Sequence, residues 1–307
     1  MRIILNHTLM KKLFTIFLLY ITIGAASAQD TTALVPADTS YWLRSVEGTF
    51  AFNQASFSGN WTGGGVNSVA FSTGILARAN YAKDKWSWDN TMDLFYGVVK
   101  NQDEQSRKSN DRILLDSKVG LQAGKNWNYF LSLTFLSQFA PGYNFEDTGR
   151  TLISKFANPA YLTAALGMEY KPNDEFSLRI SPFSPRFTFV TDRELYLNVP
   201  ENYGVPIGET VRHEWLAMSL LADWNKQLSE NLSLKARYAL FANYETLAWD
   251  TIDHRLDMVL AAKVSNLISV TLTMMSIYDI DQDQKIQFSQ GLGIGLVYKR
   301  GNFPEAK

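Results

Sequence analysis

The chain has 307 residues, no cysteine, 29 Lys plus Arg against 30 Asp plus Glu, and 46% hydrophobic residues. The missing cysteine excludes a disulfide framework and a lipoprotein anchor, and a net charge of −1 excludes the basic footprint that nucleic-acid binding demands. Phe, Tyr and Trp reach 13%, which suits a protein whose rings gather at two membrane interfaces.

The first residues read as an export address. Lys11 and Lys12 precede an apolar run from Leu13 to Ile23, and Ala26-Ser27-Ala28 supplies the small residues of a cleavage site. That run is shorter than the roughly 20 residues a bilayer-spanning helix needs. Residues 1–28 are therefore expected to be a cleaved signal peptide, with Met10-Lys11-Lys12 as an alternative start. Residues 29–43 are expected to be a short N-terminal periplasmic segment, 44–299 the barrel described next, and 300–307 a C-terminal tail.

Beyond the leader, apolar and polar residues alternate in segment after segment. The alternation predicts strands near 44–57, 69–81, 86–99, 112–124, 127–139, 160–170, 175–189, 215–225, 231–245, 254–265, 267–278 and 286–299. In 127–139, Trp127, Tyr129, Leu131, Leu133, Phe135 and Phe139 share one face, and Asn128, Ser132, Thr134 and Gln138 share the other. Short polar connections at 82–85, 125–126, 171–174, 226–230 and Asn266 take turns with longer ones near 58–68, 100–111, 140–159, 190–214, 246–253 and 279–285. No segment after the leader is long and apolar enough for a membrane helix, so a membrane-embedded chain has to close its backbone ladders into a barrel.

Aromatic residues collect at both strand ends: Tyr81, Trp86, Trp88, Trp127, Tyr129, Tyr170, Phe176 and Trp224 beside the short turns, and Phe95, Tyr96, Phe139, Tyr143, Phe187, Phe189, Tyr244 and Tyr278 beside the long loops. Two belts separated by aliphatic residues fit rings at headgroup depth. The expected fold is all-β, a closed antiparallel transmembrane β-barrel of about twelve strands. A soluble sandwich or lipocalin-like barrel is the rival, because alternation alone leaves open which way the apolar face points. The expected location is the cell outer membrane. The expected partners are outer-membrane lipid and, during biogenesis, barrel-assembly machinery, and the barrel is expected to be monomeric.

If the apolar face meets lipid, the opposite face lines the lumen. It carries Glu47, Asn53, Arg78, Asp89, Asp93, Arg112, Asp116, Lys118, Glu169, Arg179, Asp223, Lys235, Arg237, Arg255, Asp257 and Lys263. Both signs occur in similar number, so two arrangements stay open. The charges pair into a network that fills a narrow interior, or they ring a conduit that selects a small hydrophilic solute.

The stretch Phe50-Ala-Phe-Asn-Gln-Ala-Ser-Phe-Ser-Gly-Asn-Trp-Thr-Gly-Gly-Gly-Val-Asn-Ser68 resembles the opening of a family of Bacteroidota outer-membrane barrels known only as a domain of unknown function. The matching positions are Phe52, Asn53, Gln54, Ser56, Trp61, Gly63, Gly64 and Ser68, with further echoes at Ser137–Tyr143, Ser181–Ser184 and Tyr203–Val205. The resemblance implies location and fold, not chemistry. Such barrels commonly finish on an aromatic residue, whereas this chain runs past Tyr298 and Phe303 to Lys307. Physically, Gly63, Gly64 and Gly65 free the first long loop to bend, and Trp61 is expected to fold with it over the mouth.

Catalytic, cofactor and metal signals are weak. His213 beside Glu214 and His254 beside Asp253 are the histidines of the mature chain, and no serine motif accompanies either. Asp279-Ile-Asp-Gln-Asp283 alternates carboxylates, but Gln284 and Gln290 stand where a calcium loop places Gly and Glu. The sequence therefore predicts a narrow pore or small-ligand port of unknown substrate, without a cofactor. The alternatives are a structural or surface-interaction barrel with a filled lumen and, behind both, an outer-membrane lipid hydrolase.

Overall fold

The computed structural model describes residues 41–58, 65–146, 149–197 and 200–303. Trp61, Gly63 and Gly64, and with them most of the expected mouth loop, lie outside the described residues. Sixteen strands run in chain order: β1 (Trp42–Ala55), β2 (Ser68–Lys83), β3 (Trp86–Asn101), β4 (Arg107–Gln122), β5 (Trp127–Ser137), β6 (Gly142–Glu146), β7 (Gly149–Ser154), β8 (Ala160–Tyr170), β9 (Phe176–Phe183), β10 (Arg186–Phe189), β11 (Val211–Glu214), β12 (Ala217–Ser229), β13 (Leu232–Asn243), β14 (Asp253–Lys263), β15 (Ile268–Asp279) and β16 (Asp283–Gly301).

The ladder runs from β8 through β5, β4, β3, β2 and β1 to β16, then through β15, β14, β13 and β12 to β9, which pairs back onto β8. The sheet therefore closes on itself with every pairing antiparallel, while β11 at its end pairs with β10 alone. The first and last strands make the seam, in register from Ser45 opposite Gly301 to Phe52 opposite Ile294. Two staves are each built from two segments, β9 with β10 and β11 with β12, so sixteen strands make a twelve-stave barrel with β6 and β7 as a separate hairpin.

The predicted strands 175–189 and 215–225 are the ones the structure revises. Pro185 has no N–H to give the ladder, and the strand is interrupted there, between Phe183 and Arg186. Its carbonyl still accepts from the Ala164 N–H at 3.0 Å, and the Ser184 N–H donates to the Ala217 carbonyl at 2.8 Å. The second break falls at Trp215-Leu216, where the Leu216 carbonyl accepts from the Tyr244 N–H at 2.7 Å. The expected loops 100–111 and 279–285 shrink, because β4 starts at Arg107 and β16 at Asp283. Polar residues climb these ladders at strand ends, where pairing continues past the alternation, on β4 through a bulge opposite Gly97 and Val98.

Turn chemistry matches the geometry at the β2–β3 hairpin, where Lys83 pairs with Trp86 and Asp84 takes φ 54. Asp tolerates this left-handed conformation, which tight two-residue hairpins require. At the long-loop end, β6, β7 and residues 190–197 and 200–205 form a small packed cap. Val190, Leu195 and Val205 are buried together against Leu152 and Tyr203. The Asn158 side-chain carbonyl accepts from the Thr191 and Asp192 N–H groups. The Tyr203 hydroxyl donates to the Ile153 carbonyl at 2.6 Å, and burial pushes it up to about 12, so it stays a donor at neutral pH.

Candidate functional site: a divided lumen

Residues directly opposite each other on neighbouring strands point to the same face, so the register sorts every side chain. The face carrying Phe71, Ile75, Leu131, Leu133, Leu292 and Ile294 points outward, with exposures from 45% to 66%. Tyr81, Trp86, Trp88, Trp127, Tyr129, Tyr170, Phe176 and Trp224 share that face at the short-turn end. Among the belt aromatics that lie on barrel strands, Phe95 is the exception. It pairs with Gly74 and Arg112 and points inward, because its position in the alternation, not its hydrophobicity, decides its face.

The opposite face collects the charges. Glu47, Asn53, Arg78, Asp89, Asp93, Arg112, Asp116, Lys118, Glu169, Arg179, Asp223, Lys235, Arg237, Arg255, Asp257 and Lys263 all have inward register. Several meet partners far round the wall. Arg112 on β4 donates to Asp93 on neighbouring β3 at 2.7 Å and to Asp257 on β14 at 3.2 Å. Between β4 and β14 lie five strands, β3, β2, β1, β16 and β15, on one side and five staves on the other. The Arg112 bridge therefore spans the lumen and divides it, and a planar guanidinium with two separate donors suits that task.

The half reached through β5, β8, β9 and β12 is filled with paired charge. Lys118 meets Glu169 at 2.5 Å and Asp89 at 3.1 Å, with Lys118 and Glu169 side chains each only 4% exposed. Arg179 meets Asp116 at 3.0 Å, Thr134 donates to Asp116 at 2.8 Å, and Arg237 meets Asp223 at 2.6 Å. Towards the long loops, Arg186 joins Glu214 at 2.7 Å and Asp253 at 2.5 Å, while Arg212 pairs with Asp281. With partners this close the charges offset their own desolvation, and removing one member strands the other.

The half reached through β15, β16, β1 and β2 is lined differently. Its inward positions include Thr271 and Thr273 on β15, Gly291, Gly293 and Gly295 on β16, Thr49 and Ala51 on β1, and Ser72 and Gly74 on β2. Small side chains leave space where large ones would meet. Ser289 and Gly291 on the inner face of β16 are solvent-exposed. At the short-turn end of this half, Lys235 reaches from β13 to Glu47 on β1, a longer contact of 3.8 Å. Sequence reasoning named the charged residues but missed this wall. The signal was present as Gly, Ser, Thr and Ala at every second position, without an indication that those strands are neighbours in the ring.

Other sequence candidates find simpler roles. Both histidines face outward, where His213 stacks with Trp215 and His254 hydrogen-bonds the Tyr238 hydroxyl through Nδ1 at 2.7 Å. Among the described residues no serine or carboxylate hydrogen-bonds either ring. The acidic run at 279–283 is spent on its own turn, Asp279 holding the Asp281 N–H and the Gln282 side chain while Asp281 meets Arg212. Gly65 takes φ +132, and a Cβ there would lie 2.6 Å from the Phe57 ring, so the loop base needs glycine.

The model of a family described as "Protein of unknown function (DUF3078)" matches residues 52–143, beginning at the Phe52 motif and ending at Tyr143. No curated protein matches the chain. Among solved structures, an outer membrane channel from Pseudomonas putida F1 aligns at 8% identity, covering 90% of this chain and 100% of that one, with a TM-score of 0.39. The NanC porin aligns at 7% identity over 85% of this chain and 100% of its own, with a TM-score of 0.37. The translocator domain of the autotransporter NalP from Neisseria meningitidis aligns at 10% identity over 94% and 95%, with a TM-score of 0.34.

Proposed function

We propose that this chain is an outer-membrane barrel that passes small hydrophilic solutes along the small-residue half of its lumen. The observation that carries the reading is the Arg112 bridge to Asp93 and Asp257, which divides the interior into a half filled with paired charge and a half lined by small residues. The outer wall supports the membrane placement: Leu131, Leu133, Leu292 and Ile294 are each more than half exposed, and in water such a band would be an aggregation surface. In lipid it is the expected lining. The cleaved leader, the Bacteroidota source and the monomeric state belong to the same proposal.

The test is single-channel recording from refolded full-length protein in planar bilayers. The open half predicts small, steady current steps, and Arg112→Ala should enlarge them by joining the two halves. Complete absence of current in folded protein would favour the second reading, a structural barrel with a closed interior. That reading draws its support from the number of ion pairs joining strands that are not neighbours, Arg179 to Asp116 and Arg186 to Asp253 among them.

A further inference from the structure

We infer that the passage prefers anions, and that Arg78, Lys235 and Lys299 set the preference. The inference rests on the pore reading and adds its charge selectivity. In the filled half, acids and bases are matched at short range and their fields largely cancel. The short-turn end of the open half is unbalanced.

Three inward cations converge there from three strands. Arg78 on β2 pairs in register with Ser45, Lys299 on β16 pairs with Glu47, and Lys235 on β13 reaches across to Glu47. Arg78 and Lys299 act on Lys235 as like charges, with Glu47 and Asp93 opposing them. Asp93 is already held by Arg112 at 2.7 Å. Among the described residues, neither Arg78 nor Lys299 has a carboxylate within 4 Å. Three cations against the single carboxylate of Glu47 leave this end of the lumen positive.

Exposure says the charge is available to a passing ion. The Lys235 side chain is 41% exposed, against 4% for Lys118 in the filled half. A narrow aqueous path through low-dielectric walls focuses the field of its fixed charges and concentrates the counter-ion. The small side chains of β16 and β1 supply no opposing charge above the cluster. A small hydrophilic anion, inorganic or carboxylate, is the solute class this arrangement admits most readily.

The reversal potential of the refolded full chain under a potassium chloride gradient reads the preference directly. Wild type should reverse toward the chloride equilibrium potential. Arg78→Gln with Lys235→Gln should lower the chloride-to-potassium permeability ratio severalfold, and Glu47→Gln should raise it. The opposite signs separate selectivity from general damage, since a misfolded barrel would not gain preference. Current with cation preference, or a ratio that none of these variants moves, overturns the inference alone. No current at all overturns the pore reading and this inference with it.

Discussion

The two halves of the lumen are built from the same kind of strand and have opposite interiors. Between β4 and β14 on the side of β8, Lys118, Glu169, Asp116 and Arg179 knit three staves, β4, β8 and β9, together. On the side of β1, the inward row Gly291, Gly293, Ala51 and Ser72 makes no such bridges. Strand alternation fixes only that polar or small residues face inward. Whether they fill the space depends on side-chain length and on having an opposite charge within reach across the ring. One half is held by its interior, the other by its wall.

Stability should separate the halves most sharply. Glu169→Ala leaves Lys118 buried with Asp89 as its remaining acid, and breaking such a pair costs about 3–5 kcal/mol. Glu47→Gln in the open half removes a 3.8 Å contact to a side chain that is 41% exposed, and should cost under about 1 kcal/mol. Urea unfolding in lipid vesicles measures both. Equal losses would mean that Lys235 and Glu47 also hold the fold, and the division of labour would be wrong.

The outer wall should ignore the division. Leu240 on β13 backs the filled half and Leu292 on β16 backs the open one, and both have outward register. Arginine at either position should cost about 2–4 kcal/mol if it lies near the bilayer midplane. A large difference between Leu240→Arg and Leu292→Arg would show that one side of the barrel is shielded from lipid. A third pair probes the interior with neutral groups. Thr134→Val removes a donor to buried Asp116 and should cost about 1.5–3 kcal/mol, whereas Thr271→Val on the open wall should stay within about 0.5 kcal/mol.

Much of this architecture was legible in the sequence, because a period of two is a local property. The alternation around Leu131 and Leu133 gave the outer face, and the same parity put Arg237 and Asp257 inside. The break at Pro185 was visible as a residue without a donor, although the surrounding Phe and Ser pattern carried a strand across it. The Arg112–Asp257 bridge was not legible, since the residues are 145 apart and meet only because ring closure sets β4 facing β14. The cap formed by Val190, Leu195 and Val205 was hidden for a related reason. Three apolar residues in a long polar loop show no period, and only their packing against Leu152 and Tyr203 gives them a core.

A small effect on stability is also expected of Gly293→Phe, and this variant bears most directly on which half conducts. Gly293 faces inward on β16, where an added Cβ would sit 3.4 Å from the Ala51 Cβ and 3.5 Å from the Asn53 side-chain nitrogen. Those are ordinary packing distances, so the backbone accepts a side chain, and the change should stay within about 1 kcal/mol. Beyond the Cβ the ring has to extend into the open half, where it occupies the space that the row of small residues leaves. Conductance should therefore fall while unfolding in urea hardly moves. The comparison inside the filled half is Arg237→Gln, which should weaken the fold through Asp223 and leave the current nearly unchanged. If Gly293→Phe leaves the current intact and Arg237→Gln alters it, ions travel between the charges and not along the small-residue wall.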